Sequence, residues 1–220
     1  AEYDLTRDES LPRKVARHYL SMYDHPEYFA DTRNFINIEG MLWAYGHTGD
    51  EKLLKMAKDI WDNGSFELNE EVCNSGRPVW MHGVTYAETM KLPAILYMYT
   101  GEEHYLTAAI NAAKRIEDLY MLPDGIPTSS EYLRSRNPMH SHETCDITDF
   151  TWSWGYLLMA TGDTHWADLI ERAVFNAGPG AVTKDFRALQ YFSSVNQVIL
   201  KGDSNNNPFL FGRTWMAYRP

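Results

Sequence analysis

Cysteine is scarce in this 220-residue sequence: Cys73 and Cys145 are the only two, too few for a disulfide-stapled scaffold. Long apolar runs are missing too, and nothing approaches the ~20 residues that a membrane-spanning helix needs. Positive charge is in deficit, with 20 Lys plus Arg against 30 Asp plus Glu and a formal net charge of -10. A chain so acidic repels phosphate backbones and anionic lipid, so neither nucleic acid nor a membrane surface is an expected partner. The sequence opens at Ala1 in polar residues, without an initiator Met, a basic n-region or an apolar h-region. No targeting segment can be read from it, and the expectation is a soluble protein, cytoplasmic or secreted.

What is present is ample material for a core. Hydrophobic residues make up 44% of the chain and aromatics 14%, including 7 Trp and 14 Tyr. Rings in that number suit either interior packing, where large aromatics dominate buried area, or sugar-stacking surfaces. The length matches one domain or part of a larger one.

A tripeptide recurs in one setting: Thr48-Gly49-Asp50, Thr100-Gly101-Glu102 and Thr161-Gly162-Asp163. Each separates two segments with apolar residues at helical spacing. After the third, Trp166, Leu169, Ile170, Ala173, Val174 and Ala177 fall on one face of a 3.6-residue period. Glycine adopts the left-handed conformation that ends a helix, and the acid after it caps the next helix and offsets its dipole. The unit is a helix, a tight turn and an antiparallel helix. The periodicity predicts helices near 10–23, 28–46, 51–62, 84–99, 103–120, 146–160 and 164–177, with Pro93 kinking the fourth or delaying its start. Repeats of this length suit a toroid of concentric helices as well as a solenoid.

Two stretches, 63–83 and 121–145, are long and rich in Gly, Pro, Ser and Asn, and long loops on a helical scaffold commonly carry function. Beyond Gly178-Pro179-Gly180 the helical period ends. Residues 189–199 and 209–217 have strand-like composition, and the Asn-rich segment between them reads as a turn, so 183–220 is expected to be a β-hairpin or loop insertion.

The densest group of reactive side chains is His140-Ser141-His142-Glu143-Thr144-Cys145, directly before a helix. His, Glu and Cys are zinc-ligand types, yet a zinc site needs about four donors, and loop polarity with helix capping by Asp146 and Asp149 accounts for the same residues. Glu131, in a glycine-containing loop, has the chemistry of a general acid or base, although a loop glutamate without a role is the commoner case. His82 begins a helix after the other loop, where a capping or surface role is the more natural reading.

The run His142-Glu143-Thr144-Cys145, with Trp154-Gly155-Tyr156-Leu157-Leu158, Thr161-Gly162-Asp163, Trp166-Ala167-Asp168, Glu171-Arg172-Ala173 and Phe175-Asn176-Ala177, resembles the β-L-arabinofuranosidases of glycoside hydrolase family 127. The likeness runs from about Ile38 onward and is strongest from Glu131 to Gln197. It implies an all-α fold in which antiparallel helical hairpins form part of an (α/α)6 barrel, with 1–220 as a partial catalytic domain incomplete at both ends. It further implies zinc held by one Glu and three Cys, with Glu143 and Cys145 as ligands and Glu131 as the acid/base. His82 matches a sugar-pocket histidine, and Asn196 with Gln197 falls near a motif facing that pocket. The expected substrate is an oligosaccharide or glycoside.

The resemblance also has gaps. The family's paired cysteines, one of them the nucleophile, would come after Pro220, so this stretch alone is expected to be inactive and to bind zinc weakly. Gly40-Met41 stands where members often carry Gly-His, and the Glu131 loop is shorter. The implied chemistry is retaining hydrolysis with a cysteine nucleophile. Two other readings fit a helical repeat: a different helical-barrel carbohydrate enzyme, such as an unsaturated uronyl hydrolase or a polysaccharide lyase, or a non-catalytic binding module.

Overall fold

The computed structural model describes residues 2–29, 33–196 and 216–218. Helices dominate: α1 Glu2–Thr6, α2 Ser10–Leu20, α3 Asn37–Thr48, α4 Glu51–Asn63, α5 Glu70–Asn74, α6 Gly83–Thr100, α7 Glu103–Leu119, α8 Thr144–Thr161 and α9 Thr164–Arg172. Three antiparallel hairpins, α3/α4, α6/α7 and α8/α9, form the frame, and α6 packs against both α3 and α8. This is the helical-hairpin architecture that the repeat predicts.

Burial separates an inner from an outer layer. Helix α6 is buried almost all round, from Gly83 through Leu96, whereas α4 hides one stripe, Leu53, Met56, Ala57, Ile60 and Trp61, and α7 hides another centred on Ala108, Ala109, Ala112 and Ala113. An amphipathic helix covers the core from outside, and a helix apolar on every side must lie within it. The alanines on α7 let that helix approach α6 closely enough for the Tyr86 hydroxyl to donate to the Ala112 carbonyl at 2.8 Å.

All three Thr-Gly-acid turns are built alike. Gly49, Gly101 and Gly162 have φ of 69°, 71° and 68°, and each preceding threonine donates its hydroxyl back to the carbonyl four residues earlier, Ala44, Leu96 and Leu157. Asp50 and Asp163 then accept from the N–H of Lys52 and His165, capping the next helix. Glu102 does not cap. Its longer side chain reaches Lys58 and His104 instead.

Several boundaries differ from expectation. The first long helix is divided: Pro26–Phe29 and Asn34–Ile36 are 3-10 turns, and α3 begins only at Asn37. Proline neither breaks α6 nor delays its start, because Pro93 is buried within a helix packed on several sides. Helix α9 loosens after Arg172 into a π-helical turn, Ala173–Ala177. On its inner face Trp166, Leu169 and Ala173 are buried and Ile170 is partly covered.

The two loop regions fold against each other. Short strands β1 Ser129–Ser130, β2 Tyr132–Leu133, β3 His142–Glu143 and β5 Phe192–Ser193 form a sheet in the order β2-β1-β3-β5, while β4 Ala188–Gln190 pairs antiparallel with β6 Met216–Tyr218. The single strand expected from 189 is thus interrupted at Tyr191, whose carbonyl accepts from the Thr144 N–H at 2.7 Å. Residues 197–215, with the expected turn, lie outside the described residues. No described helix is long and apolar enough to cross a membrane.

Candidate active site

The inner helices α6 and α8 start side by side, and the site lies where they start. His82 is the N-cap of α6, and its Nδ1 accepts from the Thr85 N–H at 3.2 Å, with Arg33 Nη2 at 3.1 Å from the same nitrogen. A ring nitrogen that accepts a backbone N–H holds no proton, so the proton of the neutral ring sits on Nε2. That nitrogen points at two carboxylates, 3.1 Å from Glu131 Oε2 and 3.7 Å from Glu143 Oε2.

Glu131 occupies the tip of the β1/β2 turn, where Ser130 pairs directly with Tyr132. So tight a reversal demands left-handed backbone, and Glu131 has φ 73° although it is not glycine. Such a conformation costs on the order of 1 kcal/mol and persists where the surroundings enforce it. Here the Glu131 carbonyl accepts from the Gly83 N–H at 2.8 Å, tying the turn to the start of α6. Its carboxylate remains about half exposed, within reach of a ligand.

Glu143 ends β3 and is the N-cap of α8, and its backbone N–H donates to Asp146 Oδ2 at 2.9 Å. Its Oε1 accepts a short hydrogen bond from the Tyr191 hydroxyl. Its Oε2 is buried and has no hydrogen-bond partner among the described residues. Beside it lies the half-buried Cys145 thiol, pushed up to about 12 by burial first and then by the Glu143 carboxylate it contacts. Burial also raises Asp146, with the Glu143 charge adding to the effect. Gly83 makes this closeness possible: a Cβ there would stand 2.0 Å from Ser129 Oγ and 2.7 Å from Asp146 Oδ1.

The donor atoms of His82, Glu131 and Glu143 all lie within 4.8 Å of one another. Chemistry divides the set. Glu143 and Cys145 offer an orphaned buried carboxylate oxygen and a thiol, which fit zinc. His82 does not complete such a site while Nδ1 accepts from Thr85, because the nitrogen facing the cluster carries the proton.

The other expected residues lie elsewhere. Asn196 donates its amide to the Pro138 carbonyl at 3.3 Å and approaches Met139 Sδ at 3.6 Å, so its contacts are with the 138–139 loop. Gln197 lies outside the described residues. His142 points away from the cluster: it is buried on the opposite face of β3, with Nε2 2.7 Å from Asp124 Oδ2. Asp146 takes the capping role at α8, whereas Asp149 faces inward instead and is raised mainly by burial. Met41 is fully buried in the core. Cys73 is buried with its thiol pushed up to about 12 by desolvation, a packing residue remote from this chemistry.

Sequence reasoning missed Tyr191 and Arg33. Tyr191 lies 48 residues from Glu143 and Arg33 lies 49 from His82, and neither stands in a motif that would single it out. Below the site, the inner face carries more polar groups: Glu39 pairs with Lys91 at 2.8 Å and accepts from the Tyr156 hydroxyl at 2.7 Å, and Lys91 lies 4.4 Å over the Trp152 ring.

Residues 18–211 match the family model for the β-L-arabinofuranosidase GH127 catalytic domain. No curated protein matches. Among solved structures, a protein described as a glycoside hydrolase superposes with TM-score 0.60 at 18% identity, over 75% of this chain and 33% of its own. A GH127 β-arabinofuranosidase gives 0.56 at 20%, over 70% and 26%. A GH127 β-L-arabinofuranosidase from Geobacillus stearothermophilus T6 gives 0.59 at 19%, over 71% and 30%. The chain thus spans about a third or less of the length of these solved proteins, and at such identities the superpositions speak to the fold alone. With the model of its catalytic domain matching nearly all of the sequence, the chain belongs to the GH127 β-L-arabinofuranosidase family.

Proposed function

We propose that this chain supplies the acid/base and part of the metal site of a retaining glycosidase acting on β-L-arabinofuranosides. The observation that carries the reading is the convergence of His82, Glu131 and Glu143, drawn from separate loops, with Cys145 against Glu143. A binding module has no need to bring a half-exposed carboxylate to within 3.1 Å of a histidine beside an orphaned carboxylate and a thiol.

Glu143 and Cys145 would hold zinc, which when bound supplies positive charge that keeps thiol ligands ionised. Glu131 delivers a proton to the departing glycosidic oxygen and then takes one from the incoming water. The Nε2–H of His82 fixes Glu131 Oε2, leaving Oε1 for the substrate. Tyr191 and Asp146 hold Glu143 in place, one at its carboxylate and the other at its backbone.

The test is made in a GH127 domain containing this chain, with an alkyl β-L-arabinofuranoside as substrate. Retention is expected in the first-formed sugar by NMR, with activity lost in Cys145→Ser and Glu131→Gln. An inverted product, or activity untouched by either substitution, overturns the reading.

A further inference from the structure

An exposed aromatic and basic cleft continues away from Glu131. The residue after it, Tyr132, lies with its ring 6.0 Å from His82 and edge-to-face, and stacks on Trp80 at 5.4 Å with 9° between the planes. The Arg134 guanidinium then lies 5.2 Å over Trp80. The three side chains form a ladder that leads from the acid into a cleft of about 550 Å³ walled by Val79, Leu119 and Leu133.

Two features of this ladder suit a ligand. Trp80 is 65% exposed, a large apolar area to leave in water. The cleft is also lined by Arg134, Arg136 and His140 with no Asp or Glu among its walls, in a chain whose net charge is -10. Arg136 donates to the Glu117 carbonyl. Arg134 makes no ion pair among the described residues, and the Trp80 ring is the contact that holds its guanidinium.

We propose that this cleft binds the leaving-group side of the substrate and selects a glycan that carries a uronic acid there. This rests on Glu131 being the acid. A residue that protonates the glycosidic oxygen stands between the two sugars. His82 touches Glu143 and the Tyr132 ring alike, so the path from the acid away from Glu143 runs over Tyr132 and Trp80, and the departing sugar takes it. Aromatic faces take the apolar C–H surface of a sugar ring, and a planar guanidinium pairs with a carboxylate by two parallel hydrogen bonds. Arg134 already stacked on Trp80 is oriented for both.

The test is calorimetric titration of the 220-residue chain with tri-galacturonate, and with galactotriose as the neutral counterpart. Saturable binding of the acidic sugar is expected, at least about tenfold tighter than the neutral one, as one charge-assisted pair supplies. Arg134→Gln, an exposed change checked for fold by circular dichroism, removes that preference, and Trp80→Ala weakens both sugars. Absent or equal binding of the two sugars, a preference that survives Arg134→Gln, or displacement by sulfate at equal concentration each overturns the proposal. Uronate binding that persists in a domain with no glycosidase activity counts against the acid/base reading alone. Glycosidase activity with no uronate preference counts against the cleft alone.

Discussion

His82 Nε2 stands 3.1 Å from Glu131 Oε2 because the other ring nitrogen is occupied by the Thr85 N–H at the first turn of α6. The helix cap and the catalytic orientation are therefore one interaction. Replacing Glu131 by Gln keeps the fold and the hydrogen bond but removes the transferable proton. The first chemical step, read as kcat/KM, should fall about 10²- to 10⁴-fold with alkyl leaving groups. It should fall much less with a nitrophenyl leaving group, which departs without protonation. Equal losses on both substrates would show that Glu131 positions the sugar without donating to it.

Zinc binding separates Glu143 and Cys145 from their neighbours. In this reading they supply two of the roughly four donors of a closed site, and Glu131 is kept for proton transfer. The 220-residue chain should therefore bind zinc weakly. Glu143→Gln and Cys145→Ser should each reduce that binding at least about tenfold, while Glu131→Gln leaves it unchanged. Metal analysis after equilibrium dialysis reads the difference, and tight zinc binding by the double variant would remove both residues from the ligand set.

The hairpins were legible because each is written locally. A left-handed glycine and a threonine that bonds back stand in every turn, an aspartate cap follows in two of the three, and the outer helices carry one apolar stripe. Helix α3 was less so, since its N-terminal approach through Asn34–Ile36 is held by long-range contacts such as Phe35 against Phe66 rather than by caps. The roles of Glu131, Glu143 and Cys145 were named from a family resemblance, and spacing alone favoured capping and loop polarity. Tyr191, Arg33 and the left-handed backbone at Glu131 depend on segments far apart in sequence meeting at one rim, which no local pattern records.

The turn glycines give a direct stability test. Gly101 has φ 71° and open space where a Cβ would lie, so Gly101→Ala introduces backbone strain without a clash and should cost about 1 kcal/mol. For a domain of this size that is a melting shift of roughly 2–4 °C. Gly83→Ala should cost more despite its helical position, because its Cβ would meet Ser129 and the buried Asp146, and it should lower activity as well. Urea midpoints rank the two variants, and a Gly83→Ala chain as stable as the parent would mean that the rim adjusts.

Glu88 on α6 and Asp149 on α8 share the inner face below the site, and burial raises both above the usual carboxylate range. A neighbouring carboxylate adds to each shift: the Asp149 charge raises Glu88, and the Glu39 charge raises Asp149. Arg33 and Lys91 act against both shifts, with His82 helping at Glu88 and a Thr148 hydrogen bond at Asp149. A folded pKa above the unfolded one means that the folded chain binds more protons in the window between them. Stability conferred by these groups is therefore present at low pH and is lost as pH rises from about 4 through the folded values. The double variant Glu88→Gln, Asp149→Asn removes the titration, so its stability relative to the parent should be greater at pH 7 than at pH 4. Comparing urea midpoints of the two proteins at both pH values cancels the contribution of all other carboxylates. A difference that does not change with pH, or that shrinks toward neutrality, would mean that Arg33 and Lys91 fully compensate the buried charges.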